Sequence, residues 1–151
     1  MKGNAVWITL ALTGLAIGVV GLRSGGAQSI GSAGSTATVG TSGGHFKLAL
    51  VLTQSDPETA FNAFRVAQYA LEAGDDVSVF LLGKGVDLDK IQDAVYNVQE
   101  KAQAFQAAGG KILACGTCLQ MHGSSGSKLC PISTMKDLYD LIQGSDRVVA
   151  F

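Results

Sequence analysis

The sequence predicts an α/β domain: a three-layer, mostly parallel sheet with helices on both faces, preceded by an N-terminal hydrophobic helix. Three observations predict it. From residue 45 onward, short apolar runs of strand length alternate with longer stretches of helical periodicity. Gly or Pro stands at most of their junctions. The first 44 residues hold only Lys2 and Arg23 as charged side chains, which separates them from the rest of the chain.

Residues 1–23 come first. Ala5 to Leu22 is 18 residues without a charge, flanked by Lys2 and Arg23, with Trp7 near one end. A bilayer crossing takes about 20 apolar residues, so a transmembrane anchor fits. A secretory signal also fits, with Lys2 as its basic end and Gly25-Gly26-Ala27 as a small-residue cleavage site. A buried core helix is the third alternative. Residues 24–44, rich in Gly, Ser, Thr and Ala, read as a flexible linker. Lys2 with the terminal amine slightly outweighs Arg23, which favours an N-terminus inside and a domain on the outer (periplasmic or extracellular) face. Signal cleavage would instead export a soluble domain.

Residues 45–151 form the predicted domain. Lys47 to Thr53 is an apolar run that reads as a strand buried on both faces. Asp56 can cap a helix with Pro57 in its first turn; Phe61, Phe64, Ala67, Tyr69 and Leu71 carry it to about Ala73, and Gly74 stops it. Val77 to Leu82 is the second strand, followed by a Gly83-Lys84-Gly85 turn. Ile91, Val95, Val98, Ala102 and Phe105 recur at helical steps and predict one long helix from Leu88 to Ala108, with Asp87 or Asp89 at its start and Gly109-Gly110 at its end. Lys111 to Ala114 is the third strand. Ser133 to Gln143 is the last helix, with Met135, Leu138, Leu141 and Ile142 inward, and Arg147 to Phe151 is the closing strand.

The 151 residues are 47% apolar and 15% charged. The domain carries 9 of the 11 basic and all 12 acidic residues, a formal charge near −3. It has no basic run and no interleaving of basic and aromatic residues, so nucleic acid is not an expected partner. About 107 residues suffice for a core without disulfide staples.

The three cysteines, Cys115, Cys118 and Cys130, all fall within sixteen residues. A disulfide framework would spread them along the chain, so thiol chemistry, a metal or redox sensing is the better reading. In a parallel sheet, ligands gather at the carboxyl ends of the strands. Cys115-Gly116-Thr117-Cys118 begins there, as do the loops holding Gln54 and Lys84. Gly116 permits a tight turn, and a thiol at a helix start loses its proton more readily.

Four readings fit the cluster. One is sulfur transfer, in which a thiolate accepts a sulfur atom as a persulfide and hands it on. Another is dithiol–disulfide exchange by a C-x-x-C pair, although the element order is not that of thioredoxin and neither Pro57 nor Pro131 suits a facing cis-proline. A metal site could use Cys115, Cys118, His122 and Cys130. The cysteines could also simply pack as small apolar residues. Lys84 would depress a thiol pKa if its loop reached Cys115. His122 reads as a surface or capping residue, and Asp87, Asp89 and Asp93 as a solvated helix start.

The run Ala114-Cys115-Gly116-Thr117-Cys118-Leu119, then Gly123, then Cys130-Pro131-Ile132-Ser133-Thr134-Met135-Lys136-Asp137-Leu138, resembles the DsrE/DsrF-like sulfur-relay proteins. Gln54-Ser55-Asp56-Pro57, Phe80 to Val86 and the Arg147–Phe151 ending are similar too. The resemblance covers nearly all of 46–151 and not the anchor or linker. It implies a three-layer α/β fold in homotrimers or homohexamers, sulfur donor and acceptor proteins as partners, and a sulfurtransferase cysteine that carries persulfide without a dissociable cofactor. That cysteine ends the third strand, and a glycine follows eight residues later. Cys115 and Gly123 have this spacing, which makes Cys115 the implied carrier and Cys118 a resolving thiol or alternative carrier. Gly116, Thr117, His122, Cys130, Lys84 and Gln54 are candidates for supporting roles. Many relatives carry arginine where this chain has His122, which would hold an anionic sulfur species only when protonated.

Overall fold

A computed structural model describes residues 45–151. The expected anchor or signal (1–23) and the linker (24–44) lie outside the described residues. Among the described residues, no helix is long and apolar enough to cross a membrane.

Five strands form one parallel sheet in the order β4-β3-β2-β1-β5. β1 (Lys47–Leu52) and β2 (Asp76–Leu81) are its centre, and both end in four or five consecutive buried residues. That is the signature of strands covered on both faces. β3 (Lys111–Cys115) pairs with β2, and the two-residue β4 (Ile132–Ser133) pairs with Ala114 and Cys115. β5 (Arg147–Ala150) returns to the far edge beside β1. There Asp146 accepts the Lys47 N–H at 2.8 Å, and Phe151 exchanges backbone hydrogen bonds with Val51 and Thr53.

The helix α1 (Pro57–Glu72) starts as the sequence predicts, with the Asp56 carboxylate accepting the Thr59 N–H at 2.8 Å. Its buried face is made of small residues, Ala60, Ala63, Ala67 and Ala70, around Phe64. This lets α1 approach the sheet and α2 (Val98–Ala107) closely; Phe64 meets Phe105 of α2 edge-to-face at 5.9 Å. Tyr69, expected on this face, is exposed. The crossovers move in one direction as far as β4 and then reverse. A right-handed connection therefore carries α4 (Met135–Gly144) over the face opposite α1 and α2.

The expected helix from Leu88 to Ala108 is not one helix. Gly83–Lys90 is a 3-10 segment, residues 91–97 are irregular, and α2 begins only at Val98. The cause is local competition for backbone N–H groups. Asp93 accepts those of Val95 and Tyr96 at 2.8 Å each, and Asn97 accepts that of Glu100, capping a new start. The Gln99 amide ties back to the Asp89 and Ile91 carbonyls. Val95, expected inward, is consequently exposed.

The last helix also starts later than expected. Thr134 caps it in a reciprocal box with Asp137, and Ser133 belongs to β4. This phase turns Leu138 and Leu141 inward and leaves Met135 and Ile142 exposed.

Gly83-Lys84-Gly85 opens the 3-10 segment and does not form a free turn. A Cβ at Gly85 would lie 2.0 Å from the Leu52 carbonyl oxygen, so only glycine lets this segment pass against the end of β1. That passage places Asp87 and Lys90 beside the elements that follow β3.

Candidate functional site

β3 ends in Cys115, whose backbone pairs with Ser133 of β4 and whose side chain caps α3 (Gly116–Met121). The Cys115 Sγ accepts the Cys118 N–H at 3.3 Å. Gly116 sits in a tight space: an added Cβ would lie 3.0 Å from Ile132 Cγ2 and 3.3 Å from the Ser133 carbonyl oxygen. The β4 strand, invisible in a two-residue stretch of sequence, is thus what fixes the turn between the two thiols.

All three cysteines are free thiols in different surroundings. Cys115 is buried, 2% exposed. Burial pushes its thiol above the ordinary range, as does the neighbouring Cys118 thiol, and the Cys118 and Thr117 N–H groups offset part of that. The activation expected of a thiol at a helix start therefore does not prevail at Cys115. Cys118 is partly exposed. Cys130 is fully buried, and burial pushes its thiol up to about 11, aided by the Asp89 carboxylate and countered by hydrogen bonds from Asp89 and Ser127. Its own N–H donates to Ser127 Oγ at 3.0 Å.

The residues at 115, 118, 119 and 122 share one face of α3, at i, i+3, i+4 and i+7. Leu119 fills the core there, and His122 terminates the helix, its N–H donating to the Cys118 carbonyl at 2.9 Å. The imidazole Nδ1 lies 2.6 Å from Asp87 Oδ2. Lys90 Nζ donates to Asp87 Oδ1 at 2.8 Å and to the His122 carbonyl at 2.9 Å. Burial works against ionisation of Asp87, but the Lys90 and His122 hydrogen bonds and charges win and hold its carboxyl below the usual carboxylate range. Asp87 is therefore no solvated helix start. With Asp87 ionised, Nδ1 carries the hydrogen and donates. A cleft of about 380 Å³, lined by Ser55, Asp87, Lys90, Ile91 and His122, opens beside this pair; the cysteines do not line it.

The structure brings together Cys115, Gly116, Thr117, Cys118 and His122. Cys130 belongs to the same buried core cluster as Cys115, with Cys118 packed against it. Gln54 is exposed on the loop after β1 and Lys84 is exposed in the 3-10 segment, and Lys84 is not among the groups acting on the Cys115 thiol. Thr117 is exposed at the start of α3. Among the described residues, no three His, Cys, Asp or Glu side chains form a group that could hold a metal ion. The residues missed in the sequence are Asp87 and Lys90, separated from His122 by 35 and 32 positions. No local spacing could reveal them.

Residues 47–151 match the DsrE/DsrF-like family. The chain belongs to that family. Membership points this DsrE/DsrF-like chain towards sulfur relay with donor and acceptor proteins in general. It is similar to an uncharacterized protein of Methanopyrus kandleri, 34% identical over 100 residues that cover 62% of this chain and 83% of the relative. It is also similar to an uncharacterized protein of Methanocaldococcus jannaschii, 30% identical over 113 residues that cover 70% of this chain and 99% of the relative. A solved structure, a conserved protein of unknown function from Bacteroides thetaiotaomicron, shares the fold with a TM-score of 0.56 at 18% identity, over 70% of this chain and 95% of that one.

Proposed function

We propose that this DsrE/DsrF-like chain is a sulfur carrier that takes sulfane sulfur onto the Cys115–Cys118 site and passes it to an acceptor thiol. The observation that carries the reading is the pairing of two free thiols at the carboxyl end of β3, with the Cys118 N–H on the Cys115 sulfur. In the first step the Cys115 thiolate attacks the outer sulfur of a donor persulfide. A Cys115–S bond forms, the donor S–S bond breaks, and the donor leaves as a thiolate. In the second step an acceptor thiolate attacks that outer sulfur and Cys115 leaves as its thiolate. Both steps are exchanges between thiolate and persulfide, with no net oxidation. Alternatively, the Cys118 thiolate attacks Cys115 Sγ, which forms the Cys115–Cys118 disulfide and releases hydrosulfide.

The test is intact-mass spectrometry after incubation of the reduced protein with polysulfide, in wild type, Cys115→Ser and Cys118→Ser. A reducible gain of sulfur mass that Cys115→Ser abolishes is the expected result. Loss in Cys118→Ser alone would make Cys118 the carrier. No gain in wild type would defeat the carrier reading and favour a binding module with structural cysteines.

The reading extends to assembly and place. Residues 5–22, with their 18 uncharged positions, would tether the carrier through the 24–44 linker, with the domain on the outer face. Membrane fractionation with protease protection tests this. Exposed Met135, Tyr139, Ile142, Val148 and Val149 on the last helix and strand support self-association, as a trimer or hexamer, which light scattering tests.

A further inference from the structure

The stretch that carries the thiols is the part of the domain without charge. Residues 112–127 hold no Asp, Glu, Lys or Arg, the longest such run in a domain with 9 basic and 12 acidic residues. Lys128 is the single charged residue between there and Met135. The run takes in the end of β3, all of α3 and the loop leading to β4. No charged side chain is among the groups acting on the Cys115 thiol. Asp87 and Lys90 meet α3 at His122, the end away from Cys115.

The surface is apolar as well as neutral. Ile132 is 63% exposed and Met121 is 80% exposed, and neither belongs to the core cluster. Ile132 lies in register with Ala114, beside the Cys115–Ser133 pair. Its side chain stands between two glycines: a Cβ added at Gly116 would come within 3.0 Å of it, and one added at Gly126 within 2.8 Å. Both flanks are thus kept free of side chains around an isoleucine whose larger part faces water. Met121 follows the partly exposed Cys118 by one helical turn. Loss of charge together with exposed apolar side chains, methionine among them, is the composition of the centre of a protein–protein interface. Packing within the chain does not account for it.

We propose that the uncharged surface around Cys118, anchored by Ile132 and Met121, docks the sulfur-exchange partner, and that this partner presents an uncharged, apolar segment carrying its reactive cysteine. The inference deepens the carrier reading and rests on it. A charged segment would lose its hydration here and find no counter-charge. An apolar segment avoids that cost and gains from covering Ile132 and Met121. The same reasoning ranks donors: a small polyanion has no cation to hold it beside Cys115, whereas a protein persulfide brings its own apolar contacts. A second copy of this chain seated here would close both thiols to exchange. Docking adds no redox step. The Cys115 thiolate attacks the outer sulfur of the docked persulfide, the partner's S–S bond breaks, and the partner leaves as a thiolate.

The experiment loads the full-length reduced chain from two synthetic peptide persulfides blocked at both ends. One is uncharged, Leu-Val-Cys-Leu-Gly, and the other has glutamate at both leucine positions. Sulfur mass on Cys115 is followed, and each rate is divided by that peptide's rate with free cysteine, which removes intrinsic reactivity. Wild type is expected to load about tenfold faster from the uncharged peptide. Ile132→Lys and Met121→Lys are each expected to bring the ratio to about one or to reverse it. Tyr69→Lys adds the same charge on the exposed side of α1 and should leave the ratio as in wild type. Both test positions are exposed, and should one variant fail to fold the other decides. Equal rates, loading from polysulfide alone, or an equal shift in Tyr69→Lys would overturn the docking surface and leave the carrier reading standing. Dissociation of an oligomer by Ile132→Lys, seen in light scattering, would also overturn it and give this surface to a second copy. A wild type that gains sulfur from neither the peptides nor polysulfide defeats the carrier reading and this inference with it.

Discussion

Cys130 provides the sharpest quantitative test of how the fold divides its thiols. The side chain is fully buried, and its thiol is pushed from an ordinary 9.0 up to about 11. The folded protein thus holds this proton more tightly than the unfolded chain does. Its contribution to stability is complete below about pH 9 and is lost as the pH rises through 11. One pKa unit corresponds to about 1.4 kcal/mol, so after solvent screening the loss is roughly 1–3 kcal/mol. Cys130→Ala removes the titrating group and leaves a small cavity, a cost of roughly 1 kcal/mol that does not vary with pH. Urea unfolding followed by circular dichroism under reductant at pH 7, 9, 10 and 11 measures both proteins. The stability of wild type should fall towards that of the variant above pH 9 and close or reverse the gap by pH 11. The raised thiol of Cys115 adds the same alkaline decline to both and cancels in the difference. Parallel curves across this range would refute the reasoning and return Cys130 to the list of reactive thiols.

Sulfur loading on Cys115 should also rise with pH. Its thiol is held above the ordinary range, so the thiolate fraction grows about tenfold per pH unit between 7 and 9; a flat rate of mass gain over that interval would contradict the assignment. Gly85→Ala puts a Cβ 2.0 Å from the Leu52 carbonyl oxygen, and displacing backbone from backbone should cost 2 kcal/mol or more, seen as a lowered Tm. Because the same segment carries Asp87, that variant should also weaken the His122 contact, visible as a changed imidazole nitrogen signal in NMR. Gly116→Ala meets a flexible Ile132 methyl at 3.0 Å and should cost less, about 1 kcal/mol, by the same Tm measurement.

The sequence made the sheet legible because its strands are buried on both faces. Such strands read as unbroken apolar runs, and β1, β2 and β3 appear within a residue or two of their expected limits. The end of β3 was equally legible as the place where the two thiols sit. What failed was periodicity where polar side chains compete with the backbone. Ile91, Val95 and Val98 fall at helical steps, yet Asp93 and Asn97 take the N–H groups that a helix would need. β4 could not be read because two residues have no period at all. The Asp87–His122 contact depends on Gly85 letting one segment pass against β1, a tertiary fact with no local trace.

Three cysteines within sixteen residues thus end in three different surroundings, and the difference is made by neighbours and not by sequence spacing. Cys130 lies in the core beside Asp89, where a thiolate would be repelled and unsolvated, so it packs as a small apolar residue. Cys115 is also buried, but its sulfur meets the N–H of Cys118, so an anion formed there has a donor waiting. Cys118 is the more open of the pair, one turn before the His122 that ends the helix. A carrier needs a thiol that keeps a reactive sulfur from solvent and a second thiol close enough to release it. One short helix, capped by the first thiol and ended by His122, supplies both positions within a single turn of each other. The parallel sheet sets this helix at the carboxyl end of β3, beside the segment that follows β2. That adjacency is how residues 35 apart in the chain come to share one hydrogen bond.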